Sequence, residues 1–246
     1  MVSYVRKQID DDRRLLMREL TSVRVNERAR EHPLVSRIRA LVPFDSIALS
    51  GIDLEGCRLG SGVYLATDLP EPYLRMCRSE SFLSIDPLLD ISGPESPVAC
   101  WEGVSPAALN APERRPLIEA LHRYEVAPRT SVTLWRDGKP YGGAVFARKR
   151  SFSQSELETL SLFAPLVHAT LSDLAITVAN RRFGLAPGEL ACLALAAGGL
   201  TAEEIAAETR YTCDTVATYL KLATKKLGAA NRTEAVAIAI RRKIVH

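Results

Sequence analysis

Apolar positions fall at steps of three and four in several stretches of the chain, and in short β-rich runs between them, which predicts helices flanking a strand-rich middle. Residues 3–31 carry Val5, Ile9, Leu15, Leu16, Leu20 and Val23 at mostly helical spacing until Pro33 breaks the pattern. Ser46-Ile-Ala-Leu-Ser50 reads as a short strand ended by Gly51, residues 60–67 as another, and Glu71–Ser79 as a short amphipathic helix opened by Pro70 and Pro72. Residues 92–116 are rich in proline and small side chains and predict loops with a short strand at 98–101, followed by a helix over 115–124. Two β-rich runs, 130–136 and 140–148, flank Asp137-Gly138, a strong hairpin signal. Ser153 then caps a long helix whose Leu157, Leu160, Phe163, Leu166, Val167, Leu171, Leu174 and Val178 form the stripe expected to pack on the sheet. The order predicts an α+β fold, an N-terminal α-β-α sandwich around a central antiparallel sheet, which suits small-molecule sensing.

The pattern lapses over 180–186, so the chain is expected to divide into residues 1–179, a linker at 180–186, and an all-α domain of four short helices at 187–246. Leu190, Leu193 and Leu195 mark the first helix, which Gly198-Gly199 stop. Thr201 caps the second with Glu204 three residues on, Thr212 caps the third, and Asn231 with Glu234 opens the fourth. In the third helix Val216, Leu220, Ala223 and Leu227 share one face, which leaves Thr215, Ala217, Thr218, Lys221 and Lys225 outward.

Two helices joined by a tight turn, the second with small polar and basic residues outward, form the arrangement that enters a DNA major groove. Small side chains at Ala217 and Thr218 let the backbone approach base edges in a groove about 12 Å wide, while Lys221 and Lys225 reach bases or phosphates. Thr201, Thr212 and Arg232, near helix starts, complete the expected contact set with double-stranded DNA.

Charge supports this division. The net +3 of the 246 residues conceals a split: residues 181–246 hold 10 Lys/Arg against 6 Asp/Glu, and residues 1–180 hold 22 against 23. A basic segment on a near-neutral body suits a phosphate backbone. With 47% apolar, 25% charged and 6% aromatic residues the chain has the composition of a globular protein. No unbroken apolar run approaches the roughly 18 residues of a membrane span, and the first twelve residues lack a secretory pattern, so a cytoplasmic location is expected. Cys57, Cys77, Cys100, Cys192 and Cys213 are odd in number and never in a C-x-x-C pair, which predicts reduced thiols and neither disulfides nor a metal site. His32, His122, His168 and His246 have no Asp or Ser partner at useful spacing, and there is no phosphate loop or G-x-S-x-G elbow. No enzymatic activity and no cofactor are expected.

The motifs Leu185-Ala-Pro-Gly-Glu-Leu-Ala-Cys-Leu193, Gly199-Leu-Thr-Ala-Glu-Glu-Ile-Ala206, Thr212-Cys-Asp-Thr-Val216 and Lys226-Leu-Gly-Ala-Ala-Asn-Arg-Thr-Glu-Ala-Val236 closely resemble the LuxR/NarL-type helix-turn-helix domain over about 60 residues. The resemblance implies that the third helix reads DNA, with Ala217, Thr218 and Lys221 at base edges. This sequence departs from the family at Ala217, where a basic residue is usual, and at Tyr219, where histidine is usual.

Leu69-Pro-Glu-Pro-Tyr73, Cys77, Ile85-Asp86-Pro87 and Trp101 resemble the autoinducer-binding domain of quorum-sensing LuxR proteins. That resemblance implies a pocket in which an Asp accepts the amide N–H of an acyl-homoserine lactone and a Trp and a Tyr donate to its carbonyls. Asp86 and Trp101 are retained, whereas Leu69 replaces the first Tyr of the pattern, Tyr73 the donor Trp, Cys77 the second Tyr, and Arg129 a glycine before the hairpin. Each unmatched buried polar group of a ligand costs roughly 1–3 kcal/mol, so a pocket retuned to another small molecule, or one closed and signalling without ligand, is expected. Taken together, the chain reads as a transcription regulator, expected as a homodimer on an inverted-repeat site, or alternatively as a heteromer with a related regulator.

Overall fold

The computed structural model describes residues 29–52, 64–80, 82–126 and 128–245. The helix expected over residues 3–31 lies outside them, apart from a 3-10 turn at Ala29–Glu31. The chain separates into two compact units with the division between Ala175 and Ile176.

In the first unit α1 (Pro33–Leu41) precedes β1 (Ser46–Gly51) and β2 (Tyr64–Thr67). Helix α2 (Glu71–Ser79), the single turn α3 (Pro87–Asp90) and β3 (Val98–Cys100) follow. After them come α4 (Pro106–Leu109), α5 (Arg115–Arg123), the hairpin β4 (Arg129–Arg136) and β5 (Lys139–Ala147), and α6 (Gln154–Asn180), whose last five residues fall past the division. The stretch expected as loops thus holds the short helix α4, because Ser105 caps it by accepting from Ala108 N and Pro106 starts it.

The five strands lie in the order β2-β1-β5-β4-β3, and each neighbouring pair is antiparallel. Asp137 and Gly138 both take positive φ, 49° and 69°, as a tight hairpin turn requires, so the sequence signal marks the turn itself. Leu49, Val132, Ala144 and Phe146 are almost fully buried within the sheet.

Helix α6 buries a face different in part from the one its leucines suggest. Leu160, Ala164, Val167, Leu171 and Ala175 are buried, as are His168 and Ser172 beside them. Leu166 and Leu174 instead point outward, 54% and 40% exposed, together with Leu162 at 73%. The reason is angular: six residues beyond Leu160 a helix has turned about 240°, so Leu166 cannot share its face. His168 fits the inward side because it lies over Gly142, where a Cβ would stand 2.3 Å from His168 Nε2. Among the described residues, Gln154–Phe183 is the stretch long and apolar enough to cross a membrane by length and composition, and 44% of its most apolar window is buried within the protein.

The start of α6 is fastened by Arg148, which is 9% exposed. Its guanidinium donates to both Glu156 carboxylate oxygens (2.9 and 2.5 Å) and to the carbonyls of Pro43, Arg150 and Ser151. Glu156 also accepts from Ser153 N at 2.7 Å. The Arg148 bonds, reinforced by the Ser153 N–H, hold the Glu156 carboxyl down at a pKa of about 2.

The second unit holds α7 (Pro187–Ala197), α8 (Ala202–Thr209), α9 (Cys213–Lys226) and α10 (Arg232–Arg241). One core cluster joins Leu193, Ala223, Leu227, Ala235, Ile238 and Ala239, and another joins Cys192, Ala196, Ile205, Val216 and Leu220. Both halves of the Thr201–Glu204 capping box form, and Arg210 takes a left-handed conformation (φ 63°) that turns α8 into α9. The Tyr219 ring rests on Gly188, where a Cβ would come within 2.7 Å of the ring, and meets Tyr211 edge to face at 5.3 Å.

Candidate ligand pocket and DNA-recognition surface

The residues named for the N-terminal pocket gather on one side of the sheet. Tyr73 is buried on α2, and the half-buried Leu69, Cys77 and Trp101 pack with it against Leu117, Ala120, Leu121 and Val126. The Tyr73 and Tyr64 hydroxyls hydrogen-bond the Cys77 sulfur, so the Tyr73 hydroxyl is already engaged within the wall. Burial raises the pKa of both the Tyr73 phenol and the Cys77 thiol, and both stay neutral.

Asp86 sits at the start of α3 and is 6% exposed. Oδ1 accepts from Leu88 N at 3.1 Å as the cap of α3. Oδ2 accepts from Arg129 Nη2 at 2.8 Å. Arg129, also 6% exposed, enters from the first residue of β4, with its guanidinium carbon 5.6 Å from the centre of a Trp101 ring. Burial lowers the Arg129 pKa, but the charge and hydrogen bond of Asp86 together with the nearby Tyr73 and Cys77 more than offset this and leave it raised, so the guanidinium keeps its charge.

The role of Arg129 was missed by sequence reasoning, which registered it only as a departure from a glycine. The available signal was a lone charge at the head of a β-rich run, a place where a strand facing a core carries a cation only if a partner waits inside. Strand periodicity places Ser131 and Thr133 on the same side as Arg129. Thr133 accepts from Ser92 Oγ at 3.3 Å, while Ser131 Oγ and Arg129 Nε are buried with no partner among the described residues. The cavity bounded by Asp86, Leu88, Ser131, Thr133 and Gly143 measures about 20 Å³. Such a volume suits about one water molecule.

In the second unit Val216, Leu220 and Ala223 of α9 and Leu227 at its C-cap are buried, and Ala217, Thr218, Lys221 and Lys225 are exposed. Thr215 is half-buried, because its N–H and hydroxyl bond Thr212 Oγ1 at 3.2 and 2.8 Å in the cap of α9. Thr201 is exposed and accepts from Glu204 N. Half-buried Arg232 donates to the Leu200 carbonyl at 2.5 Å, a brace between α10 and the turn before α8. Lys226 turns inward to Glu189, so Lys221 and Lys225 are the α9 lysines on the outward side.

A four-helix unit with an open recognition helix, joined to an α/β unit with a polar residue pair under its helices, defines a DNA-binding regulator of the sensor type. The family described as "Autoinducer binding domain" matches residues 30–171, and "Bacterial regulatory proteins, luxR family" matches residues 184–239. The chain belongs to the bacterial LuxR-type regulators that carry an autoinducer-binding domain, a regulatory rather than enzymatic family.

Among solved structures, SdiA in complex with octanoyl-rac-glycerol is 23% identical, with 97% of each chain covered and a TM-score of 0.49. Escherichia coli SdiA in another crystal is 22% identical over 96% of this chain and 98% of that one, with a TM-score of 0.47. The VqsR LBD domain from Pseudomonas aeruginosa is 12% identical over 69% of this chain and 97% of its own, with a TM-score of 0.38. No curated protein matches the chain.

Proposed function

We propose that the chain is a cytoplasmic, homodimeric transcription regulator that reads an inverted-repeat operator through α9, and that its N-terminal pocket does not accept an ordinary acyl-homoserine lactone. The observation that carries the DNA reading is the two-sided α9, with three apolar residues and the C-cap Leu227 buried and Ala217, Thr218, Lys221 and Lys225 turned to solvent. Residues 1–179 serve as sensor and dimerisation domain, 180–186 as linker and 187–246 as reader. Leu162, Leu166 and Leu174 on the outward side of α6 support self-association. Thr201, Thr212 and Thr215 complete the phosphate-facing end, with Arg232 holding the frame.

Selection of bound duplexes from a random pool, followed by fluorescence anisotropy at several salt concentrations, tests the reading. An enriched palindromic site and an affinity that falls steeply with salt are expected. Failure to bind any duplex at low ionic strength sinks it.

A second reading, ligand-independent action as a heteromer with a related LuxR-type regulator, draws support from the occupied Asp86. Light scattering separates the two, because a self-dimer that shifts the selected duplex needs no partner.

A further inference from the structure

We propose that Arg129 is a built-in occupant of the N-terminal pocket, its guanidinium standing against Asp86 where the N–H of a neutral amide ligand would stand, so that this one side chain sets what the pocket admits. The inference rests on the reading above that ordinary acyl lactones are excluded, and names the residue that excludes them.

Both Asp86 oxygens are spoken for, Oδ1 by the Leu88 N–H and Oδ2 by Arg129 Nη2. An incoming amide would have to displace a charge-assisted hydrogen bond and leave a buried guanidinium without its counter-charge, which no neutral ligand offsets. The guanidinium carbon also lies 5.6 Å from the centre of a Trp101 ring while Nη2 contacts Asp86, so the occupant takes up volume beside both residues as well as the hydrogen bond. What remains beside Asp86 is a cavity of about 20 Å³. Arg129 Nε, buried with no partner among the described residues, shows that the side chain fills this space without matching it fully. The Leu69, Met76, Ile85 and Leu117 part of the surrounding wall is apolar, and its polar points are the Tyr73 hydroxyl, Ser131 Oγ and Thr133. Shortening Arg129 therefore leaves a largely apolar chamber with one carboxylate acceptor, a site for an acyl chain attached to an N–H.

Isothermal titration and thermal shift on the full chain test this with two probes: N-octanoyl-homoserine lactone and its ester analogue, in which oxygen replaces the N–H. Wild type is expected to bind neither. Arg129→Gly is expected to bind the amide about 10- to 100-fold more tightly than the ester, the ratio that one hydrogen bond to a charged acceptor supplies. The Arg129→Ala/Asp86→Ala double variant, which removes both charges together and so avoids an orphaned carboxylate, is expected to bind amide and ester alike. Wild type binding the amide as tightly as Arg129→Gly overturns the inference together with the reading beneath it. A folded Arg129→Gly that binds neither probe overturns the inference alone, since wild type still excludes lactones. Should Arg129→Gly fail to fold, the double variant decides: uptake of either probe supports the occupant role, and uptake of neither overturns it.

Discussion

Lys226 Nζ donates to both carboxylate oxygens of Glu189, at 2.8 and 2.7 Å, and to the Gly184 carbonyl at 2.8 Å, which ties the last turn of α9 to the first turn of α7. The two partners differ in exposure, Glu189 at 3% of its side chain and Lys226 at 34%. Burial pushes the Glu189 carboxyl pKa up, but Lys226 and the Ala186 N–H more than reverse this and leave it lowered. Losing Lys226 therefore strands a buried charge, while neutralising Glu189 leaves an ammonium that still reaches water. Lys226→Met is expected to cost about 2–4 kcal/mol and Glu189→Gln about 1 kcal/mol. Thermal unfolding with hydrogen exchange at α7 and α9 amides checks the order; equal losses would argue against it.

The Arg148–Glu156 pair predicts an acid-sensitive first unit. Glu156 has a folded pKa of about 2, below the ordinary 4.5, so its contribution is complete above about pH 4.5 and fades as pH falls through about 2. The gap in urea midpoint between wild type and Glu156→Gln is expected to be widest near pH 5 and to close toward pH 2. A gap independent of pH would mean that the ionised pair is not what fastens α6.

On α9 the two outward lysines are expected to part in their roles. Lys221→Ala should cost about 1–3 kcal/mol on the preferred operator and less on altered ones, which narrows discrimination. Lys225→Ala, one turn further on, should weaken all duplexes evenly and flatten the salt dependence by about one ion. Anisotropy with the selected duplex and its single-base variants separates them, and an even loss in Lys221→Ala would reassign that lysine to phosphate.

Self-association through α6 is checked by charge. Leu162→Glu with Leu166→Glu alters only outward positions, so the fold should hold while light scattering reports monomer and operator affinity drops at least 10-fold. A dimer that persists would place the contact elsewhere.

The hairpin and the helix-turn-helix were legible because their signals are local: Asp137-Gly138 dictates a turn, and the Thr201 and Thr212 caps fix where α8 and α9 begin. The inward face of α6 was only partly legible, since leucine is apolar whether a helix turns it in or out, and Ala164, Ala175, His168 and Ser172 carry little hydrophobic signal. Leu69, Tyr73, Cys77, Asp86 and Trp101 were found as a set through their resemblance to a known motif. That Asp86 meets Arg129 was not legible, because the partners are 43 residues apart and only the folded sheet brings them together.

Tyr219 seated on Gly188 makes these two positions historically dependent on each other. A methyl group at 188 is accommodated only if the ring at 219 swings aside or is lost, and the ring keeps its present seat only over glycine. Substitutions at the two positions are thus coupled, and aligned relatives should show a large side chain at one of them paired with a small or displaced one at the other.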